Sequence, residues 1–130
     1  MQNCKLTIVT SVDDTENTVV RNGKIEAKES SVVLTYEEEN ALICMTFQKG
    51  LAFIDRQGDY TLRLPLEEGK THEGVLGIGS AEGKVGITTH RVKYTLQGNL
   101  FKLSMRYDLI FTENEVQKTK LNLKAQIRND

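Results

Sequence analysis

Strict alternation of apolar and polar side chains constrains this chain more than any other feature. Between residues 100 and 111, Phe101, Leu103, Met105, Tyr107, Leu109 and Phe111 share one parity, while Lys102, Ser104, Arg106 and Asp108 share the other. A period of two belongs to an extended strand, whose successive side chains leave by opposite faces, whereas a helix repeats every ~3.6 residues. Residues 116–128 show the same pattern: Leu121, Leu123, Ala125 and Ile127 on one side, Lys118, Lys120, Asn122, Lys124, Gln126 and Arg128 on the other. Both segments predict long strands with one dry face and one wet face. Tyr60, Leu62, Leu64 and Leu66 alternate with Thr61, Arg63 and Pro65. Pro65 has no amide donor, so it is expected at an edge or a bulge.

Shorter strands are expected over residues 4–12, 18–28, 31–37, 41–48, 51–56, 74–79 and 84–97. Lys49-Gly50, Gln57-Gly58-Asp59, Glu68-Gly69-Lys70 and Glu82-Gly83 read as turns, and Gly98-Asn99 reads as a two-residue type II′ hairpin with glycine at its positive-φ position. Asn22-Gly23 has two readings. It is a hairpin signal, yet Val19, Ile25 and Ala27 keep one parity across it, as in a single strand kinked at glycine. No window carries an amphipathic helix. Eight to ten antiparallel strands with short connections predict an all-β, up-and-down barrel occupying residues 1–130 as one domain, because closure removes exposed sheet edges.

Charge narrows function. The chain has 17 basic and 18 acidic side chains, a balance unlike that of a protein devoted to neutralising phosphates. The two signs are unevenly spread, with 6 basic and 10 acidic residues in positions 1–60 and 11 and 8 thereafter. Cys4 and Cys44 form no C-x-x-C pattern, and no apolar run reaches membrane-span length. With no signal-peptide pattern at the start, the expectation is a cytoplasmic protein with reduced thiols, buried in strands, and no membrane partner.

Four colinear segments carry a resemblance: Val33-Leu34-Thr35-Tyr36-Glu37-Glu38, Phe53-Ile54-Asp55-Arg56-Gln57-Gly58, Gly83-Lys84-Val85-Gly86-Ile87-Thr88-Thr89, and Gly98-Asn99-Leu100-Phe101 running on to Met105-Arg106-Tyr107-Asp108-Leu109. Across residues 17–127 the chain resembles the YwiB-like family of bacterial proteins of unknown function. That resemblance implies a calycin-like (lipocalin-like) barrel, a bacterial cytosolic origin and one kinked strand through Gly23. It supplies no catalytic residue, because the family has no assigned reaction. Fatty-acid-binding proteins share the chain length but not the pattern. Residues 13–17 leave no space for a two-helix lid, the chain has no Trp, and its last strand ends Ile127-Arg128-Asn129 where an Arg-x-Tyr triplet is needed.

The glycine-rich stretch from Gly74 through Gly77, Gly79 and Gly83 to Lys84 has the wrong spacing for a dinucleotide fingerprint or a P-loop, and reads as help for barrel curvature. His72 and His90 lack the partners of a metal centre, and no G-x-S-x-G elbow accompanies them, so neither metal, cofactor nor catalytic residue is expected. Two functional readings remain. In the first, a non-enzymatic barrel holds a small apolar or amphipathic ligand in its interior, with Tyr36, Glu37, Arg56, Arg63 and Tyr107 at the mouth. In the second, the barrel is filled, and a basic outer face of Lys102, Arg106, Lys118, Lys120, Lys124 and Arg128 binds RNA or a protein partner. Phe101, Tyr107 and Phe111 share the apolar parity and should be buried. Their absence from the wet face counts against nucleic acid, because single-strand binding on a sheet normally uses exposed aromatics.

Overall fold

Ten strands follow one another around a closed barrel in the computed structural model, which describes residues 1–128. They are β1 (Gln2–Val12), β2 (Thr15–Ala27), β3 (Val32–Glu38), β4 (Ala41–Gln48), β5 (Leu51–Gly58), β6 (Tyr60–Glu67), β7 (Thr71–Ile78), β8 (Ala81–Gln97), β9 (Leu100–Thr112) and β10 (Glu115–Ile127). Each pairs antiparallel with its sequence neighbours, and β1 pairs with β10 to close the ring. This is the up-and-down barrel that the alternation predicts.

Closure works because the dry parities of all the strands meet inside. Leu6, Leu34, Phe47, Ile87, Phe101 and Ala125, drawn from six strands, retain no accessible surface. Phe47, Tyr94 and Phe101 meet with ring centroids 5.8–6.2 Å apart, within the range of favourable aromatic pairs.

Local interruptions of the alternation shape the strands. At Thr89–Arg91 the pairing of β8 with β9 shifts register, so His90 and Arg91 are exposed in succession between the buried Thr89 and Val92. Such a bulge adds one residue to one strand and inverts its parity beyond that point. A second shift at Glu115/Val116 leaves Phe111 with no cross-strand partner in the β9–β10 ladder. Phe111 is therefore 39% exposed, a correction to the burial its parity predicts. Glu82-Gly83 is also corrected: both residues lie inside β8, and the tight turn is Gly79-Ser80, where Gly79 takes φ 62°. Gly98 takes φ 59° between the paired Gln97 and Leu100, as expected of the first position of a type II′ turn.

Asn22-Gly23 lies within one continuous strand. Gly23 faces Cys4 on one side and Tyr36 on the other, and it is the first residue of β2 paired with β3. A Cβ there would stand 2.7 Å from the Thr35 carbonyl oxygen and 2.9 Å from Leu6 Cδ1. Gly74 is as crowded: its Cβ would come 2.5 Å from the Arg63 carbonyl oxygen. These glycines let neighbouring strands approach where the barrel turns. Pro65 pairs with Phe53, but the β6–β7 ladder ends at Arg63, so no β7 residue needs the missing donor. Cys4 is buried, whereas Cys44 is half-buried and opposite Thr35 and Asp55 on the outer face, a correction to its expected burial; both thiols are free.

The β6–β7 loop takes over where β7 stops covering β8. Gly69 N donates to Thr89 O at 2.8 Å, Thr89 N donates to Lys70 O at 3.0 Å, and Val92 N donates to Glu68 Oε2 at 2.8 Å. Lys93 Nζ reaches the other Glu68 oxygen at 3.0 Å. Glu68 thereby satisfies an amide of β8 just beyond its bulge.

Two outcomes test this account. Gly23→Val is expected to cost roughly 1–3 kcal/mol of stability in urea unfolding, because the added atoms meet backbone oxygen that cannot rotate away; an unchanged midpoint contradicts the close approach. The hydrogen bond from Val92 and the ammonium of Lys93 hold the Glu68 carboxyl below its ordinary value of 4.5. A lowered folded-state value stabilises the fold above 4.5, and this stabilisation disappears as pH falls through the lower, folded value. Glu68→Gln is therefore expected to lower stability at neutral pH and to flatten its decline between pH 5 and pH 3, about the window in which a depressed carboxylate titrates. Parallel pH profiles for the two proteins contradict the staple.

Candidate functional site

The proposed mouth residues do not converge. Successive residues of a strand face opposite ways, so Tyr36 points inward and Glu37, its neighbour, stands in solvent. Arg63 is exposed between the inward Leu62 and the buried Leu64. Arg56 is already engaged at the β5–β6 turn. Its guanidinium donates to Tyr60 O at 2.6 Å, pairs with Asp59 at 2.8 Å and lies 3.6 Å above the Tyr60 ring centroid. Tyr36 and Tyr107 remain inside, and burial raises the pKa of both phenols, that of Tyr107 to about 12.

Six inward side chains distributed around the ring have no accessible surface and pack closely against their neighbours. Thr89 and Thr119 flank Tyr107 on the adjacent strands, and their hydroxyls are buried without a hydrogen-bond partner. Of the five proposed mouth residues, Tyr36 and Tyr107 thus face inward, Glu37 and Arg63 face outward, and Arg56 is held at the β5–β6 turn.

The predicted basic residues, in contrast, do come together. β9 and β10 pair with their wet parities in register, placing Lys124 opposite Lys102, Lys120 opposite Arg106 and Lys118 opposite Asp108. On the other side of β9, Arg91 of β8 stands opposite Arg106. The result is a row of three cations across three strands, Lys120–Arg106–Arg91, and a second row of Lys124 and Lys102. Between them runs a neutral row in which Val9, Asn122 and Ser104 lead to Lys93. Like charges directly opposite one another on a sheet are destabilising, and native ladders usually avoid them. Among the described residues, no carboxylate stands within ion-pair distance of Lys102, Arg106, Lys120 or Lys124. Arg128 is exposed on the same parity beyond Gln126, outside both rows.

Arg91 and Lys93 are members of this face that reading the last two strands alone misses. The bulge at Thr89–Arg91 turns them outward, where Arg91 Nε donates to Ser104 Oγ at 3.2 Å and Lys93 meets Glu68. Alternation of Arg91, Lys93 and Thr95 with Val92, Tyr94 and Leu96 is the sequence signal that could have found them. Two depressions mark the face. One of about 440 Å³ is bordered by Val9, Lys93, Tyr94, Lys102 and Lys124. The other, of about 630 Å³, is of mixed charge, bordered by Asp13, Asp14 and Asp108 as well as Arg106, Lys118 and Lys120. His90 Nε2 lies 3.0 Å from Asp108 and His72 Nε2 lies 2.8 Å from Glu67, so each histidine is paired with a carboxylate. Among the described residues, no group of three or more His, Cys, Asp and Glu side chains could hold a metal ion. No helix among them is long and apolar enough to cross a membrane.

Comparisons with known proteins agree with the architecture. The crystal structure of the ywiB protein from Bacillus subtilis superposes with a TM-score of 0.82 over 98% of this chain and 93% of that one. At 13% identity the likeness shows the fold alone. No curated protein matches the chain. Residues 4–123 match the model of a domain of unknown function, DUF1934. The chain therefore belongs to the DUF1934 family, the YwiB-like barrels of unknown function.

Proposed function

We propose that this protein is a non-enzymatic binding module whose basic outer face holds the phosphate backbone of RNA. The observation that supports it is the direct opposition of cations across neighbouring strands, Lys120–Arg106–Arg91 and Lys124–Lys102, without neutralising carboxylates on Lys102, Arg106, Lys120 and Lys124. Such an arrangement costs stability in the free protein, and a partner carrying regularly spaced negative charge relieves it. Asp108 opposite Lys118 and Glu68 on Lys93 neutralise the margins of this face, leaving the two rows themselves without a carboxylate partner.

Chemistry favours RNA over a protein surface. Protein interfaces centre on desolvated aromatic, Met and Arg anchors and are depleted in Lys. Here three of the five cations in the two rows are lysines; exposed apolar residues are spread around the ring, with Leu42, Leu51, Phe53 and Ile78 on β4, β5 and β7 and Leu96, Phe111 and Val116 on β8, β9 and β10 outside the two rows. Ser104, Asn122, Thr7 and Thr95 offer hydroxyl and amide groups between and beside the rows, suited to ribose hydroxyls. Phe101 and Tyr107 are buried, as their parity predicts, so binding draws its strength from phosphate contacts and not from an exposed stacking platform.

Five such cations on a single strand give a log–log salt slope of about −3.5, hence roughly a hundredfold weaker binding at about 200 mM salt than at 50 mM. Lys102→Gln combined with Lys124→Gln is expected to reduce the magnitude of that slope by about 1.4. Filter retention of mixed RNA at both salt concentrations measures this. Absent or salt-insensitive retention removes the proposal.

A further inference from the structure

Closure of the ring leaves one length of strand edge without a partner. β2 pairs with β1 from Thr15, opposite Val12, to Ile25, opposite Gln2. Its ladder with β3 covers only residues 23–27 and stops where Gly23 meets Tyr36. Beyond that point the strands part: Glu37 and Glu38 pair with Leu42 and Ala41 of β4, and β1 is the one ladder partner of residues 15–22 among the described residues. Backbone N–H and C=O groups of an extended strand turn alternately to its two neighbours, so half of those in residues 15–22 point where no strand lies. We infer that this edge of β2 takes up an extended, lysine- or arginine-bearing segment of a partner protein by strand addition, at a surface separate from the basic face of β8–β10. An unpaired edge supplies the main-chain hydrogen bonds of such docking, and the flanking side chains select the segment.

Charge selects that occupant. Positions 13–40 hold eight carboxylates and three cations. Asp14 and Glu16 stand at the head of β2, and Glu37, Glu38 and Glu39 at the end of β3; none of the five is in an ion pair among the described residues. Glu16, Thr18 and Val20 have the parity opposite to the buried Ile25, so they face outward, as Glu37 does beside the inward Tyr36. Where the strands part lies a depression of about 390 Å³, bordered by Asn22, Tyr36, Glu37 and Leu42. Val20 on β2 and Leu42 on β4 are 52% and 49% exposed. A lysine suits this surface because its methylene stem rests on apolar groups while its ammonium stays with carboxylates. Arg21, the one cation of residues 15–22, has the inward parity, and its guanidinium donates to Val20 O at 3.0 Å. A second copy of the chain fits less well. Antiparallel pairing of two β2 edges sets Asp14 and Glu16 of one chain beside Glu37 of the other, like charge against like.

The full chain is to be titrated with a synthetic peptide of about eight residues alternating Lys and Val, long enough to lie along residues 15–22. Two further forms of the peptide are methylated on the Lys amides or on the Val amides, which removes the donors of one peptide edge and leaves the charge unchanged. The parent peptide is expected to bind and to slow amide exchange within residues 15–22, and one methylated form to bind about tenfold more weakly, the scale of one or two hydrogen bonds lost. Glu16→Gln combined with Glu37→Gln is expected to weaken binding of the parent peptide and to leave RNA retention unchanged. Equal affinity for the parent and both methylated forms, or slowed exchange away from β2, overturns strand addition. A Glu-Val peptide that binds as tightly as the Lys-Val peptide overturns the selection by charge. A free chain that sediments as a dimer, with residues 15–22 protected before any peptide is added, assigns the edge to a second copy and overturns the proposal.

Discussion

Everything in this barrel depends on the two-sidedness of the extended chain. A strand presents alternate side chains to alternate faces, so closing ten of them into a ring commits one parity of each to the interior and the other to the outside. The inward set is apolar and packs around Phe47 and Phe101, both without accessible surface. The fold also fixes which surface residues become neighbours. Lys120 and Arg106 are remote in sequence from Arg91, but strand register sets the three side by side.

That register has an energetic consequence. Oppositely charged residues facing each other stabilise a ladder and like charges weaken it, by roughly 0.2–1 kcal/mol per pair. The outer face of β8–β10 takes the unfavourable choice repeatedly, with Lys124 opposite Lys102, and Arg106 between Lys120 and Arg91. Elsewhere on the molecule carboxylates meet cations: Asp59 with Arg56, Glu67 with Lys70, Glu73 with Lys84. Concentration of uncompensated cations on one face, in a chain of net charge −1, is the pattern expected when folding stability has been traded for recognition of an anion.

How much of this was legible beforehand follows from what period two records. β9 and β10 could be read from their alternation, and the barrel followed from ten such segments with short connections. The alternation says nothing about where a strand slips by one residue. The bulge at Thr89–Arg91 depends on how β8 pairs with β9, and it moved Arg91 and Lys93 onto the basic face. The shift at Glu115/Val116 left Phe111 in solvent for the same reason. The five mouth residues are dispersed for a simpler reason. Tyr36 and Glu37 are consecutive residues of one strand and cannot share a face, while Arg56 is occupied by Asp59 and Tyr60 at the turn read from Gln57-Gly58-Asp59, a pairing that the turn signal alone does not reveal. Whether the interior would be hollow depended on side-chain volumes meeting across the ring, which no single strand reveals. Gly23 could be recognised as a close approach only once Cys4 and Tyr36 were known to be its neighbours.

The trade of stability for recognition is tested most directly by replacing one of the opposed cations with an acid. Lys120→Glu would face Arg106 with an opposite charge, and urea unfolding and RNA affinity are to be measured on the same preparation. The account predicts a folded state more stable by about 0.2–1 kcal/mol, with weaker RNA binding and a shallower salt dependence. Unchanged or lower stability together with undiminished RNA affinity would contradict it.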